Sequence, residues 1–445
     1  MRILLLTLCL ALGACKATPL SEFKTNLGLV VIDTDGEEMG KRDRSVWSDN
    51  DWVAANIAVF DPGDGHATLR TSADYDGPGA IHVRGNSSRE YEKRSFRIEL
   101  RDRKRQDVDA SLLGMPEEAD WILQGPYSDK TLMRNHLMYT LSNDIGTYAA
   151  RTRLVELFVV DNRRKPSDHH YRGVYVLMER IERDKERIGM EKISTTDVTE
   201  PNISGGYLLK RDWWEQEDQR IKTSIYKDTL LVEDPQKLAD AQRDWLEAWF
   251  TDFETSLDGP GYADFVDVDS FVDHMLLVEF GRTVDGYVLS TWMYKDRQGP
   301  LTMGPIWDYN GGLGNADYFQ GWKTEGWHYD NPEFPEDNPH GFDWYEKMLE
   351  DSAFRVRLAE RWHTHRAGAL ADDAILARID EAHEKLEHAA PRNFERWKVL
   401  GEYVWPNDDG SEDRDSWDEE VDYMEAWLLE RAAWMDGAVD TLAAD

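Results

Sequence analysis

Residues 278–315 read VEFGRTVDGYVLSTWMYKDRQGPLTMGPIWDYNGGLGN. An apolar, helix-like run ends near Asp285, two short strands joined by a turn follow, and Asp308 stands directly before a glycine-rich turn. Both carboxylates have apolar neighbours, and burying them is costly unless a partner compensates for the charge. A metal ion, alone or bound to phosphate, is the usual partner of such a pair. The stretch therefore predicts a metal site where a helix ends beside a pair of strands.

The length and charge of the chain limit its class. At 445 residues and 41% hydrophobic, it is long enough to bury a large core and to form two lobes or two domains. The 52 Lys and Arg residues against 87 Asp and Glu residues give a formal net charge of −35. Such a charge repels nucleic acid, so we expect no nucleic-acid partner. Because the acids are spread along the whole chain, they indicate a solvated surface.

The N-terminus has the pattern of an export signal. Residues 1–14, MRILLLTLCLALGA, combine an early arginine with an apolar run too short to span a bilayer. The run ends in a sequence that resembles the lipobox of bacterial lipoproteins, in which Cys15 is lipidated and becomes the mature N-terminus. Residues 15–26 would then be a tether, and Lys16 favours the outer membrane or cell surface as destination. The alternative is an ordinary secretory signal.

The rest of the chain divides by pattern. Strand patterns dominate residues 27–210, and helical patterns dominate residues 211–445. This order predicts an α+β protein of two lobes, strand-rich and then helix-rich, with a cleft between them. The acidic segment 406–420 is interpreted as a solvated loop before the terminal helix.

One hairpin is basic in an otherwise acidic chain. Two alternating strands, Ala80–Arg84 and Ser95–Leu100, are joined by a loop rich in Gly, Asn and Ser. The cations of this hairpin are Arg84, Arg89, Lys93, Arg94 and Arg97. Their concentration predicts an anion nearby. The alternative is a solvated hairpin whose cations balance neighbouring acids.

The spacing of the two acids also has a kinase-like aspect. In protein kinases a catalytic Asp is followed five residues later by a metal-binding Asn, and further on by a metal-binding Asp before a Gly. Here Ser290 takes the position of the Asn, and neither the H-R-D nor the D-F-G motif is present. The spacing alone is only suggestive.

Six blocks in order resemble the bacterial spore-coat CotH kinase family. They are RGNSSREYEKRSFRIEL (84–100), DWILQGPYSDKTLMRN (120–135), YRGVYVLMERIERDK (171–185), GGYLLKRD (205–212), VDGYVLSTWMYK (284–295) and GPIWDYNGGLGN (304–315). The resemblance covers about residues 27–435. It implies an atypical, bilobal protein-kinase-like fold and transfer of phosphate from ATP to Ser or Thr side chains of proteins.

The resemblance implies roles for the acids. Asp308 would hold Mg²⁺ against the phosphates of ATP, and Asn310 and Asn315 would help to complete the metal site. Asp285 would be a second metal ligand, or the group that orients the substrate hydroxyl and accepts its proton. ATP and Mg²⁺ are thus the expected cofactors.

The resemblance also implies an ATP site. Lys93 would be the cation on the phosphates, although the helix after Pro126 has no Glu to pair with it. Ser290 would be a poorer ligand than Asn for a second metal. The other implied ATP contacts are Arg84, Gly85, Asn86, Ser87 and Ser88 in the hairpin, and Met178 and Glu179 in the segment 176–179 that would join the lobes.

We therefore expect an exported, lipid-anchored protein Ser/Thr kinase whose partners are protein substrates and, through Cys15, a membrane. The alternative is a catalytically inactive CotH-like protein of the cell surface that acts in binding, adhesion or envelope structure. The Trp-rich region 316–344 would support a third alternative, a carbohydrate-binding or envelope-structural protein.

Overall fold

The computed structural model describes residues 18–37, 52–214, 218–334 and 343–444. The predicted signal peptide and lipidated Cys15 lie outside the described residues, as does the start of the tether. In the described part of the chain, no helix is both long and apolar enough to span a bilayer.

The first half of the protein forms a closed barrel. Its strands are β1 (Gly28–Asp33), β2 (Val53–Phe60), β3 (Ala73–Arg84), β4 (Ser95–Leu100), β5 (Asp120–Gln124), β6 (Thr152–Val160) and β7 (Tyr171–Glu179). They follow the order β1-β2-β3-β4-β5-β7-β6, and β1 closes the barrel by pairing in parallel with β6. Buried β-branched and aromatic side chains fill the interior, which gives this unit its own core.

A second, five-stranded antiparallel sheet lies in the second half of the chain. Its strands are β8 (Tyr207–Arg211), β9 (Arg220–Lys222), β10 (Thr229–Asp234), β11 (Thr291–Lys295) and β12 (Leu301–Met303), in the order β12-β11-β8-β10-β9. The predicted division between residues 210 and 211 falls within β8. The part predicted to be helix-rich thus contains a sheet, whose central strand β8 spans that division and whose other strands all follow it.

Helices surround this sheet and one end of the barrel. They are α1 (Arg134–Asp144), α2 (Asp240–Ser256), α3 (Val268–Gly281), α4 (Asp343–Glu350), α5 (Ser352–Arg366), α6 (Asp372–Leu386), α7 (Ala390–Arg396) and α8 (Trp417–Ala444). The α+β class is confirmed, whereas the arrangement is a barrel beside a helix-covered sheet rather than a clear pair of kinase lobes.

The acidic segment 406–420, interpreted from the sequence as a solvated loop, is solvated only in part, because most of its acids are exposed but two are not. Asp408 and Glu420 are buried, and Arg414 lies between them, with Nη2 2.6 Å from Asp408 Oδ1 and Nε 3.0 Å from Glu420 Oε2. Lys130 Nζ lies 3.5 Å from Glu420 Oε1. Because cations neutralise these two acids, the segment packs against the protein where they lie.

One buried ion pair joins α3 to α8. Glu279 and Arg431 are both 0% exposed, with Arg431 Nη2 3.2 Å from Glu279 Oε2. Arg431 Nε also donates to the Glu279 carbonyl at 2.9 Å. The remaining capacity of the carboxylate is used by the backbone N–H groups of His328 and Tyr329 and by the Tyr287 hydroxyl. The pair thus connects two helices and the loop at residues 328–329.

Replacing Arg431 tests this pair. We expect Arg431→Met to lower the free energy of unfolding by about 3–5 kcal/mol, because it leaves Glu279 buried without a counter-charge. Arg357→Met is the matched control, since Arg357 pairs with Asp269 at a site where both side chains are about 40% exposed, and such pairs contribute about 0–1 kcal/mol. Urea unfolding followed by tryptophan fluorescence measures both. Equal midpoints for the two variants would contradict the assignment.

Candidate active site

The end of α3 places Asp285. The predicted helix stops at Gly281 because Arg282 takes a left-handed conformation, with φ of 42°. The buried Arg282 guanidinium donates to the carbonyls of Gln320, Glu325 and Gly326, which holds the turn in place. Asp285 follows three residues later and is only partly exposed.

The turn at Asp308 is fixed from two sides. Its φ of 65° is left-handed, its N–H donates to the Tyr139 hydroxyl at 3.0 Å, and its carbonyl accepts from Thr283 Oγ1 at 3.0 Å. The first contact comes from α1 and the second from the segment that carries Asp285. The segments that carry the two acids, 23 positions apart in the chain, are therefore joined by a hydrogen bond from the Thr283 side chain to the Asp308 backbone.

A glycine permits this close approach. A Cβ added to Gly281 would lie 2.6 Å from the Tyr309 ring, closer than real contacts allow. The Gly281 carbonyl also accepts from Leu313 N at 2.7 Å. The end of α3 and the turn after Asp308 are thus packed backbone to backbone.

Both acids line one polar cavity of about 380 Å³. The hairpin between β3 and β4 supplies one wall, the second sheet supplies another, and residues 284–311 supply a third. The predicted site residues that line it are Arg84, Gly85, Asn86, Ser88, Asp285, Asp308 and Asn310, together with Arg89 and Ser290. Ser87 begins a 3₁₀ helix, Ser87–Glu90, within the same loop. The structure thus brings the basic hairpin and the two acids together.

The cavity raises the pKa of both acids. Burial raises the pKa of Asp285 to about 7, and Asp308 and Asp212 add to the effect, while a hydrogen bond from Tyr318 opposes it. Burial also raises the pKa of Asp308, and Asp212 adds to this, against the opposing effects of Arg84 and of a hydrogen bond from Ser290. Burial is thus the main cause of both shifts, and repulsion from the neighbouring acids adds to it.

Two cavity residues, Lys210 and Asp212, were missed from the sequence. Both lie in or beside β8, two positions apart, so they project to the same side of the strand. Lys210 Nζ lies 2.8 Å from Glu233 Oε1 and 3.4 Å from Asp212 Oδ2. Burial alone would lower the pKa of Lys210, but these acids raise it above its usual value. The signal available in the sequence was the predicted strand GGYLLKRD (205–212), in which residues 210 and 212 lie on the same face.

Several predicted residues lie away from the cavity. Lys93 is buried, and its Nζ donates to Asn393 Oδ1 at 2.8 Å and to the Pro126 carbonyl at 3.2 Å. Burial holds the pKa of Lys93 well below its usual value. Met178 is in the core, and Glu179 is paired with Arg151. None of Lys93, Met178 and Glu179 lines the cavity, although Arg180 and Ile181, directly after β7, do.

Asn315, which the resemblance implied for the metal site, makes structural hydrogen bonds instead. Its Nδ2 donates to the carbonyls of Ser128 and Asn310, and its Oδ1 accepts from Asn407. The side chain therefore joins three segments and is not among the cavity-lining residues.

The profile of one protein family, described as CotH kinase protein, matches residues 81–435. The chain belongs to the CotH kinase family. A search of curated proteins finds no match. The region that matches the CotH kinase profile begins in β3, ends in α8 and contains every residue that lines the cavity. The family resemblance seen in the sequence is thus confirmed.

Asp285→Asn tests the electrostatics of the site. The folded carboxyl keeps its proton up to about pH 7, against an ordinary value of 3.8, so the folded chain binds more protons than the unfolded chain in this interval. Asp285 therefore makes the protein less stable as the pH rises from about 4 to about 7. We expect Asp285→Asn to stabilise the metal-free protein by about 1–3 kcal/mol at pH 8, an effect that grows between pH 4 and 7 and is constant above.

Thermal unfolding across that pH range, in the presence of a chelator, measures the effect. Asp269→Asn is the control of opposite sign, because a hydrogen bond from Arg357 lowers the pKa of Asp269 and the neutral amide loses it. A destabilised Asp285→Asn protein at pH 8 would contradict the raised pKa.

Proposed function

We propose that this CotH-family protein is a Mg²⁺- and ATP-dependent kinase that transfers the γ-phosphate of ATP to Ser or Thr side chains of proteins. The observation that carries the proposal is the convergence of Asp285, Asp308 and the basic hairpin on one cavity. In the proposed arrangement the barrel and its hairpin correspond to the first lobe of a protein kinase. The five-stranded sheet and its helices correspond to the second lobe.

The donor atoms of the site suit Mg²⁺. The side chains of Asp285, Asp308 and Asn310 offer oxygen, which this hard cation prefers. Both carboxyls have raised pKa values, so a bound cation would relieve an existing repulsion. Among the described residues no group of three His, Cys, Asp or Glu side chains is arranged to hold a metal. The protein would therefore share the ion with water and phosphate oxygens, as Mg²⁺ sites commonly do.

When bound, Mg²⁺ neutralises charge on the phosphates and orients them. Asp308 is the principal ligand in this proposal because its backbone is fixed by Tyr139 and Thr283. The Ser290 hydroxyl donates to the Asp308 carboxylate, and in this proposal it helps to orient that carboxylate towards the ion. At the position where other kinases have a metal-binding Asn, this protein thus has Ser290, which in this proposal positions Asp308 and does not bind a second metal.

Arg84 and Lys210 are the proposed cations for the phosphates. Arg84 lies near Asp308, which partly offsets the effect of burial on its pKa. Lys210 is held by Glu233 and Asp212, in the way that an ion pair holds the phosphate-binding lysine of protein kinases. The loop from Gly85 to Arg89 adds backbone N–H groups, which can bind phosphate oxygens.

Asp285 is the proposed proton acceptor. In the metal-free site its pKa is about 7, in the range that suits a general base, and it has this role where Asp308 rather than Asp285 holds the ion. In the proposed step, the hydroxyl oxygen of the acceptor forms a bond to the γ-phosphorus, and the bond from that phosphorus to the β–γ bridging oxygen breaks. The hydroxyl proton passes to the Asp285 carboxylate, and ADP leaves.

The proposed location is the cell envelope, with Cys15 lipidated and the folded protein exported. ATP must then reach the protein outside the cytoplasm. A protein that binds but does not transfer phosphate is the second candidate, and the exposed tryptophans near the cavity are what favour it.

Phosphate transfer is the direct test. The purified full-length chain, in detergent with Mg²⁺ and γ-labelled ATP, should label itself or a Ser-rich acceptor protein, and Asp308→Asn should reduce labelling by about 100-fold or more. Asp144→Asn is the control, because Asp144 is a surface residue of α1 paired with Arg378. Absence of both labelling and an ATP-dependent thermal shift would refute the kinase. Equal labelling by Asp308→Asn would refute the site.

Variants of Lys210 and Lys93 show which of these two lysines binds the phosphates of ATP. We expect Lys210→Met to raise the KM for ATP by about tenfold, the effect of losing roughly 1.4 kcal/mol of binding. Lys93→Met should leave that KM unchanged and lower the melting temperature, since it removes the buried hydrogen bonds from Lys93 to Asn393 Oδ1 and to the Pro126 carbonyl. The opposite pattern would restore Lys93 as the phosphate-binding residue.

A further inference from the structure

Exposed aromatic side chains are concentrated at the mouth of the cavity. In the described ranges, eight large hydrophobic side chains are exposed, and four of them belong to two short segments beside the site: Trp213, Trp214, Tyr403 and Trp405. Trp213 is 68% exposed and Trp405 is 49% exposed, yet both line the cavity that holds the two acids. Large apolar surfaces left in water at a site are typical of binding surfaces.

The Trp405 ring is connected to Asp285 through Tyr318. It stacks on Tyr318 with ring centroids 6.1 Å apart and planes 7° apart. The Tyr318 hydroxyl makes a hydrogen bond to Asp285. The Trp405 carbonyl accepts from the Tyr91 hydroxyl at 2.8 Å. An aromatic ring already fixed in place loses little entropy when a ligand packs on it.

Trp213 approaches from a different element. It directly follows Asp212 at the end of β8, and its N–H donates to Asp212 Oδ1 at 2.9 Å. The neighbouring Trp214 ring packs on Arg220, whose guanidinium carbon is 4.0 Å from the ring centroid. The Trp213 backbone is therefore hydrogen-bonded to Asp212, which adds to the effect of burial on the pKa of Asp285 and of Asp308. The Trp213 ring remains mostly in solvent.

We infer that Trp213 and Trp405 form an aromatic clamp that takes an apolar or aromatic side chain of the acceptor polypeptide, next to its Ser or Thr. This inference rests on the proposed function, since the acceptor hydroxyl must reach Asp285. Trp214 and Tyr403 continue the aromatic surface away from the cavity, which suits an extended segment longer than the reacting residue. The clamp would thus select acceptor polypeptides that have an apolar or aromatic side chain next to the reacting Ser or Thr.

Two synthetic peptides of equal length test the clamp, one with Phe residues flanking a single Ser and one with Gly residues there. We expect wild type to have a KM about tenfold lower for the Phe peptide, from burial of one aromatic side chain. Trp213→Ala and Trp405→Ala should each remove most of this preference, and Trp405→Phe should retain it. A loss of ATP binding in these variants, with the Phe preference intact, would assign the two rings to the nucleotide and overturn the clamp.

Trp322→Ala is the matched control, because Trp322 is 40% exposed and lines a different cavity. Comparing the two peptides within one variant cancels any effect of Trp405 on Asp285 through Tyr318. Equal KM values for the two peptides in wild type would overturn the clamp, and so would a preference that survives both alanine variants.

Direct binding of the peptides in the absence of ATP distinguishes this inference from the proposed function. Tryptophan-dependent binding of the Phe peptide without any phosphate transfer would support the clamp and refute the kinase. Transfer without a Phe preference would do the reverse. Binding of a soluble oligosaccharide, and not of the Phe peptide, at the two tryptophans would overturn the clamp.

Discussion

The buried pair of Glu279 and Arg431 is the constraint on which the site depends. Glu279 is in the last turn of α3, two residues before the helix ends, so its position determines where the chain turns towards Asp285. A glutamate without partners at that depth would be neutralised or would pull the helix towards water. Since Arg431 supplies the charge from α8, the terminal helix is part of the architecture that places the acids, although none of its residues lines the cavity.

The two acids illustrate how a fold can hold charges that repel each other. Asp212, Asp285 and Asp308 line one cavity together with several cations, Arg84 and Lys210 among them, yet burial still raises the pKa of Asp285 and of Asp308. The stability for this arrangement comes from elsewhere, in the packing of α3 against the turn at Asp308 and in the two cores. An unfavourable local arrangement maintained by the surrounding structure is characteristic of functional sites.

Sequence reasoning succeeded where the signal is local. The helical periodicity before Asp285 and the family blocks located α3, the basic hairpin and both acids. Closure of the barrel was not predictable, because β1 pairs with β6 more than 120 positions away and no local pattern specifies such a partner. Lys93 was chosen for its neighbours in the chain, whereas its amine turns to Asn393, 300 positions away. In the acidic segment 406–420, the two buried acids are paired with Arg414, six positions from each, and composition alone did not distinguish them from their exposed neighbours.

The distance along the chain between Glu279 and Arg431 has a consequence for how the protein matures. Polypeptides that end before residue 431, whether from interrupted synthesis or from proteolysis, have no counter-charge for a glutamate that sits two residues before the turn to the first acid. Fragments that end between residues 406 and 430 contain every residue that lines the cavity, since the last of these is Pro406, yet they lack this contact at the end of α3. The residues of the cavity are therefore not by themselves the whole of the architecture that positions them.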